Sequence, residues 1–198
     1  QSTYDAMYLQ MGLDKPIWQQ FWIYLQKVLS GDFGNSFLTK KPVMGDIARA
    51  FPATLELATV AILIGTLVGV PVGVWSAVKA GKAFDQIVRV LGLMGYSAPI
   101  FWLGLLGLLV FYANLQWVAG PGRIDIAYEY SFTSVTGLML LDTAMQGEWA
   151  AFGNAFSHII LPASLLGYFS MAYISRMTRS FMLAELAQEY VTTARVKG

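Results

Sequence analysis

The chain alternates between long apolar runs without charge and short segments in which its charges collect. Leu57–Val78 runs 22 residues without Asp, Glu, Lys or Arg, Val90–Gly122 runs 33, and Trp149–Ser175 runs 27. A transmembrane helix needs about 20 mostly apolar residues. The pattern predicts an all-α integral membrane protein with three transmembrane helices, near 55–78, 90–117 and 156–176. A soluble fold would need three buried central helices with almost no polar shell.

Shorter elements surround these spans. Asp14-Lys15-Pro16 marks a helix start, with Asp14 near the N-cap and Pro16 in the first turn. Ile17, Phe21, Tyr24, Leu25 and Val28 follow at helical spacing, with Trp18 and Trp22 nearby. This predicts an amphipathic surface helix, lying on the outer membrane surface or packed on the protein's own external segment. Gly31–Ser36 is rich in turn residues. Pro52 begins the first span, and Glu56 suits the positive end of its helix dipole. Gly120-Pro121-Gly122 reads as a turn. Ser131–Leu141 is apolar but too short to span, which predicts an interfacial or re-entrant helix.

Within the spans, Gly65, Gly69 and Gly73 recur every four residues. Such a stripe lets a second helix approach closely, although a role in a solute path also fits. Pro71 predicts a kink. Gly95-Tyr96-Ser97-Ala98-Pro99 interrupts the second apolar run. Irregular backbone at that depth must be buried in protein or line a cavity. Tyr96, Ser97 and Pro99 are therefore candidate residues of a translocation pathway, with plain helix packing as the alternative.

Charge sets the expected topology. Only 13% of residues are charged, against roughly 25% in an ordinary soluble domain. Mean hydropathy is +0.54. Lys79, Lys82 and Arg89 mark 79–89 as a cytoplasmic loop, and Arg176, Arg179, Arg195 and Lys197 mark the 177–198 tail as cytoplasmic. The 118–154 connection carries Arg123 alone among basic residues and is expected outside, as is the 1–50 segment. The reading is thus an external segment 1–50, two spans within 51–117, an external loop 118–154, a third span at 155–176 and a cytoplasmic tail 177–198. An external segment of 50 residues needs something to export it. The expectation is an upstream span and a larger permease. A net charge of +1 gives no reason to expect nucleic acid as a partner.

Catalytic chemistry is sparse. The chain has no cysteine and one histidine, His158, so it offers no thiolate or clustered transition-metal site. An intramembrane hydrolase pairing His158 with a serine competes with a capping or packing role for that histidine. No phosphate-binding G-x-x-x-x-G-K-[ST] motif occurs, so any ATP hydrolysis belongs to another chain. No charged residue lies deep in a span, which argues against an ion-coupled carrier.

The tail is the most informative stretch. Gln188–Gly198 reads as a short separate helix with Glu189 at its start, Arg195 and Lys197 in its last turn, and Gly198 at its stop. It suits docking into a partner groove, or a solvated amphipathic tail.

The segment Glu189-Tyr190-Val191-Thr192-Thr193-Ala194-Arg195-Val196-Lys197-Gly198 resembles the EAA-type cytoplasmic loop of ABC importer permeases of the dipeptide, oligopeptide and nickel branch. Val196 stands where that branch usually has alanine. Further matches are Gly12–Pro16, Gly31–Ser36, Pro52–Leu57, Gly122–Asp125, Thr136–Asp142 and His158–Ala163, in the family's order and spacing.

The resemblance implies the type I ABC importer transmembrane fold, with this chain holding about spans two to four of six, in a bacterial inner membrane. It implies a second permease subunit (a heterodimer), two cytoplasmic ATPases that hold ATP and Mg, and an external solute-binding protein. No cofactor is expected in this chain. Glu189, Tyr190, Thr193, Ala194, Arg195, Lys197 and Gly198 would form a coupling helix seated on an ATPase. The competing reading is a secondary transporter or channel without ATPase partners.

Overall fold

The computed structural model describes residues 14–197, which fall into two compact units divided between Phe51 and Pro52. In the N-terminal unit, α1 (Ile17–Leu29) starts from Pro16, not Asp14. The Pro16 carbonyl accepts the first helical N–H groups, from Gln19 and Gln20. Proline fits this boundary because its φ is already helical and its missing N–H would have had no intrahelical partner. Ile17, Trp18, Phe21, Trp22 and Tyr24 are all more than half exposed, and no residue of α1 is buried. After it, Gly31 and Gly34 take positive φ, and the Asp32 carboxylate accepts the Gly34 N–H at 3.0 Å.

The long helix α2 (Val43–Val78) begins earlier than Pro52 and passes through both Pro52 and Pro71 without a break in its assignment. Its partner is α7 (Trp149–Leu186), which contains Pro162. The two run in parallel along a seam of small residues. A Cβ added at Gly65 would meet Ser170 Cβ at 2.6 Å. One at Gly69 would meet Ile174 Cβ at 3.1 Å, and one at Gly73 would meet the Ser175 carbonyl oxygen at 2.6 Å. From α7, a Cβ on Gly167 would lie 3.0 Å from the Ala61 carbonyl oxygen. Only the absence of side chains permits this approach.

Because α2 and α7 point the same way, the chain between them must return once. It does so along α7. Gly92 faces Ala172, Gly95 lies under the Tyr168 ring, Gly104 faces Leu165 and Gly107 faces Leu161. Rising numbers on one strand of chain meet falling numbers on the other, so the return is antiparallel.

This crossing, expected near 90–117 with an interruption at Gly95–Pro99, is a broken one. It consists of α3 (Ala83–Ser97) and α4 (Ile100–Gly107), followed by π-helical turns at Leu108–Asn114. The two parts are bent by 101° at the Ala98–Pro99 break. Pro99 has no N–H to continue the ladder, and its ring disfavours helical backbone at Ala98, which is extended at ψ 134°.

The next connection holds α5 (Ile126–Glu129) and α6 (Met139–Met145). The helix expected at Ser131–Leu141 is displaced: 131–138 is irregular and wraps the buried carboxylate of Asp142. That carboxylate accepts N–H bonds from Val135, Thr136 and Gly137, and the Thr136 hydroxyl at 2.7 Å. Local side-chain bonds of this kind offer the backbone an alternative to helix. Burial pushes the Asp142 carboxyl up, but these donors together hold it below its ordinary range. α7 then starts at Trp149, before the expected 155, and continues beyond Ser175 to Leu186. Two residues later comes α8 (Glu189–Lys197).

The distribution of side chains is that of a protein packed in lipid. Among the described residues, the buried apolar side chains are all alanines: Ala61, Ala77, Ala151, Ala155, Ala163 and Ala172. Large apolar groups point outward, with Leu67 73% exposed and Leu93 69% exposed. In water this would be an inverted core. In a bilayer, apolar burial between helices brings little gain, and close packing of small residues replaces it.

The seam generates a prediction. Gly69→Leu should push α2 from α7 and cost about 1–3 kcal/mol or more through overpacking. Gly73→Ala should already be costly, because its added methyl meets backbone. The yield and thermal stability of the detergent-solubilised full-length subunit would measure both. Wild-type values for both would place the stripe away from the seam.

Candidate functional site

Polar side chains gather at the two ends of the α2–α7 pair. At the first end, Glu56 is 7% exposed although it lies well inside α2. The Arg123 Nη2 donates to Glu56 Oε2 and to the Gly137 carbonyl, both at 2.8 Å. The Leu140 N–H donates to Glu56 Oε1 at 2.6 Å. Glu56 therefore acts as a clamp on the 123–140 connection. The role expected for it at a helix start is corrected, since α2 begins at Val43. The sequence signal that was available is the pairing of a lone carboxylate at the edge of span one with the lone basic residue of the long connection.

His158 stands beside this clamp. Its Nδ1 donates to the Asn154 carbonyl at 2.9 Å, which places a hydrogen on Nδ1, and its Nε2 lies 3.5 Å from Asp125 Oδ1. Asn154 in turn donates to Asp125 Oδ2 at 2.6 Å and accepts the Asp125 N–H at 2.9 Å. The neighbouring Ser157 hydroxyl donates to the Asn154 carbonyl. The imidazole nitrogen that could act as a base thus faces a carboxylate and not a serine. This geometry favours the packing role over a hydrolase pair.

At the opposite end, Asp85 at the start of α3 is fully buried. Arg179 of α7 donates to it twice, from Nε at 2.6 Å and from an Nη at 2.9 Å. The Ser76 hydroxyl of α2 donates at 2.6 Å, and the Gly81 N–H at 2.9 Å. Arg179, Ser76 and the Gly81 N–H thus give both oxygens of this buried carboxylate their donors. No local pattern marks Asp85 or Ser76, because the arginine that holds Asp85 lies 94 residues away.

The α3–α4 break carries the candidate pathway residues. The Ser97 hydroxyl bonds the Leu93 carbonyl at 3.1 Å, Pro99 starts α4, and both residues are exposed. The Tyr168 hydroxyl donates to the Leu91 carbonyl. On α8, Glu189, Tyr190, Thr193 and Lys197 are exposed. The Tyr190 hydroxyl donates to Glu185 of α7 at 2.8 Å, and Thr193 to the Glu189 carbonyl at 2.9 Å. Gly198 lies outside the described residues, as do the side chains of Tyr96, Ala194 and Arg195. The structure thus separates the sites predicted from sequence. Pathway candidates lie on the broken crossing, seam glycines on α2, and the candidate coupling residues on α8. Among the described residues no cluster of His, Asp and Glu is arranged to hold a metal.

The first-end clamp can be tested. Arg123→Ala should strand Glu56 with only the Leu140 N–H, at a cost of up to about 3 kcal/mol, since Arg123 is itself a third exposed. The 123–138 segment should then become sensitive to protease, while Glu56→Gln, which keeps one acceptor oxygen and leaves no buried charge, should show less sensitivity. Equal resistance in wild type and Arg123→Ala would remove the clamp from the account.

Comparison with known proteins gives this geometry its context. Residues 69–198 match the family described as binding-protein-dependent transport system inner membrane component. The dipeptide transport system permease protein of Escherichia coli K12 is 45% identical over 192 residues, covering 96% of this chain and 56% of that protein. The di/tripeptide permease protein of Pseudomonas aeruginosa UCBPP-PA14 is 43% identical over 189 residues, again 96% of this chain and 56% of the relative. A probable D,D-dipeptide permease protein of Escherichia coli K12 is 42% identical, over 96% of this chain and 55% of its own length. The chain therefore spans about half the length of these curated relatives. With its helical architecture and small-residue seam, the chain belongs to the family of binding-protein-dependent transport system inner membrane components, whose membrane domain has the type I ABC importer fold.

Proposed function

We propose that this chain forms part of the permease subunit of an ATP-driven importer of dipeptides or closely related solutes. The observation that carries this reading is the α7–α8 arrangement. A helix of 38 residues outruns the thickness of a bilayer and is joined, through Ala187 and Gln188, to a short exposed helix bearing the EAA-type segment. At about 1.5 Å per residue, α7 is roughly 57 Å long, against a hydrocarbon core of about 30 Å. Its end and α8 therefore stand clear of the membrane, where a partner can reach them.

In this reading, the end bearing Asp85 and Arg179 is cytoplasmic, and the end bearing Glu56 and Arg123 is external. The basic residues of 79–89 and of the tail support that orientation. α8 seats in a groove of a cytoplasmic ATPase, one of two that dimerise around ATP and Mg. A second permease subunit completes the pathway, and an external binding protein delivers solute to the 118–154 side. ATPase closure moves α8 and turns the pathway from one side of the membrane to the other. The chain performs no catalysis of its own. The named substrates of its relatives support dipeptides over the nickel complexes and longer peptides that the tail motif alone allows.

Two measurements test this. Single cysteines at Ser36 and Lys82, in a chain that has none of its own, should react with an impermeant thiol reagent in intact cells only at position 36. Reaction at position 82 alone would invert the orientation. Ala194→Trp or Gly198→Glu, in the full-length subunit, should leave membrane insertion normal but abolish ATPase co-purification and dipeptide uptake. Docking loses about 1–3 kcal/mol or more through overlap. Wild-type uptake in both variants would favour a transporter that works without ATPases.

A further inference from the structure

We propose that Asp85 and Arg179 form a positioning pair that carries movement of α8 into α2 and α3. The proposal rests on the ATPase-coupled reading above. α7 is one helix from Trp149 to Leu186, and α8 begins after only two intervening residues. A pull on α8 therefore acts on the end of a continuous rod. Arg179 lies about two turns before that end. Its guanidinium holds Asp85 by two parallel bonds, at 2.6 and 2.9 Å. The same carboxylate binds Ser76 of α2 at 2.6 Å and the Gly81 N–H of the α2–α3 turn at 2.9 Å. One buried side chain thus ties the coupling end of α7 to both other crossings. Arg89 approaches the same carboxylate at 3.9 Å and is mostly exposed.

The chemistry suits transmission better than simple adhesion. The seam at Gly65, Gly69 and Gly73 and the Tyr168–Gly95 contact already hold these helices together. A buried ion pair is a poor source of added stability, because desolvation offsets most of its attraction, and an apolar replacement of the same shape often does as well. A two-pronged, charge-assisted contact does fix distance and angle together. The α2–α3 turn must then follow Arg179 when α7 tilts. Nearby apolar contacts, being non-directional, would let it slide.

The test uses the full-length subunit assembled with its partner subunit and ATPases in proteoliposomes, with external binding protein and a labelled dipeptide. Uptake and ATP hydrolysis are both expressed per assembled complex. Asp85→Asn should leave ATP hydrolysis within about twofold of wild type and lower uptake about tenfold or more, raising the ATP used per dipeptide moved. Arg179→Lys keeps the charge but loses the fork, so it should raise the same ratio to a smaller extent. Should Asp85→Asn yield no complex, Arg179→Lys and Ser76→Ala decide by that ratio, since neither leaves a buried charge without a counter-charge. A lower yield of complex with an unchanged ratio in these variants would make the pair a staple and overturn the proposal. A wild-type subunit that bound no ATPase would overturn the underlying reading instead, before any variant was compared.

Discussion

The rest of the structure depends on the close parallel contact between α2 and α7. In a bilayer the helices gain little by hiding apolar surface from one another, since lipid is equally apolar. Association must come from close packing and from polar groups that find partners. The Gly65, Gly69 and Gly73 stripe supplies the first. Each position faces α7 atoms so near that a methyl group would overlap them. Once α2 and α7 lie parallel, the chain must cross back between them, and the antiparallel path of α3 and α4 along α7 follows.

Charge is used at the ends of this pair, where it also fixes geometry. Glu56 and Arg123 tie the long connection to α2 at one end. Asp85 and Arg179 tie α3 to α7 at the other. In each case a carboxylate that is almost wholly buried meets a partly exposed arginine and at least one backbone N–H, so its oxygens have donors despite the loss of water. Asp142 repeats the device with neutral donors only, and there it shapes the 134–137 segment into a cap over α6. The long connection between membrane helices is thereby given a defined form by two carboxylates, Glu56 and Asp142, and not by a large apolar core.

What the sequence reveals and what it hides divide along the range of the interactions. Charge-free runs and their lengths depend on composition within one segment, so the crossings can be read directly. The glycine stripe is equally local, and its geometry against α7 follows from four-residue spacing. The turns of α2 before Pro52 are hard to read because a proline and polar residues such as Asp46 look like a boundary, yet the helix runs through Pro52 at its tenth position. The 131–138 segment was misread because its apolar residues suggested a helix, while the deciding group, Asp142, lies beyond it. The two ion pairs are harder to read, because their partners are 67 and 94 residues apart; Glu56 and Arg123 stand out only as lone charges of their segments, and Asp85 and Arg179 not even as that.

The break at Ala98–Pro99 shows how a local rule acquires a functional meaning. Proline ends the backbone ladder, and a broken crossing exposes carbonyls that lipid cannot satisfy. The side-chain bonds nearby add to carbonyls inside the last turns of α3. The Ser97 hydroxyl bonds the Leu93 carbonyl, the Tyr168 hydroxyl bonds the Leu91 carbonyl, and the Ala98 N–H bonds the Met94 carbonyl. This part of α3 is therefore held by α7, the same helix that continues toward α8. With Asp85 held at the start of α3 and Tyr168 held near its end, α3 is fastened to α7 at two levels. α4 lies beyond the break, where Gly104 faces Leu165 and Gly107 faces Leu161 of α7. Under the proposed function, a displacement of α7 acts first on α3, and the 101° bend at Ala98–Pro99 lies between that helix and α4.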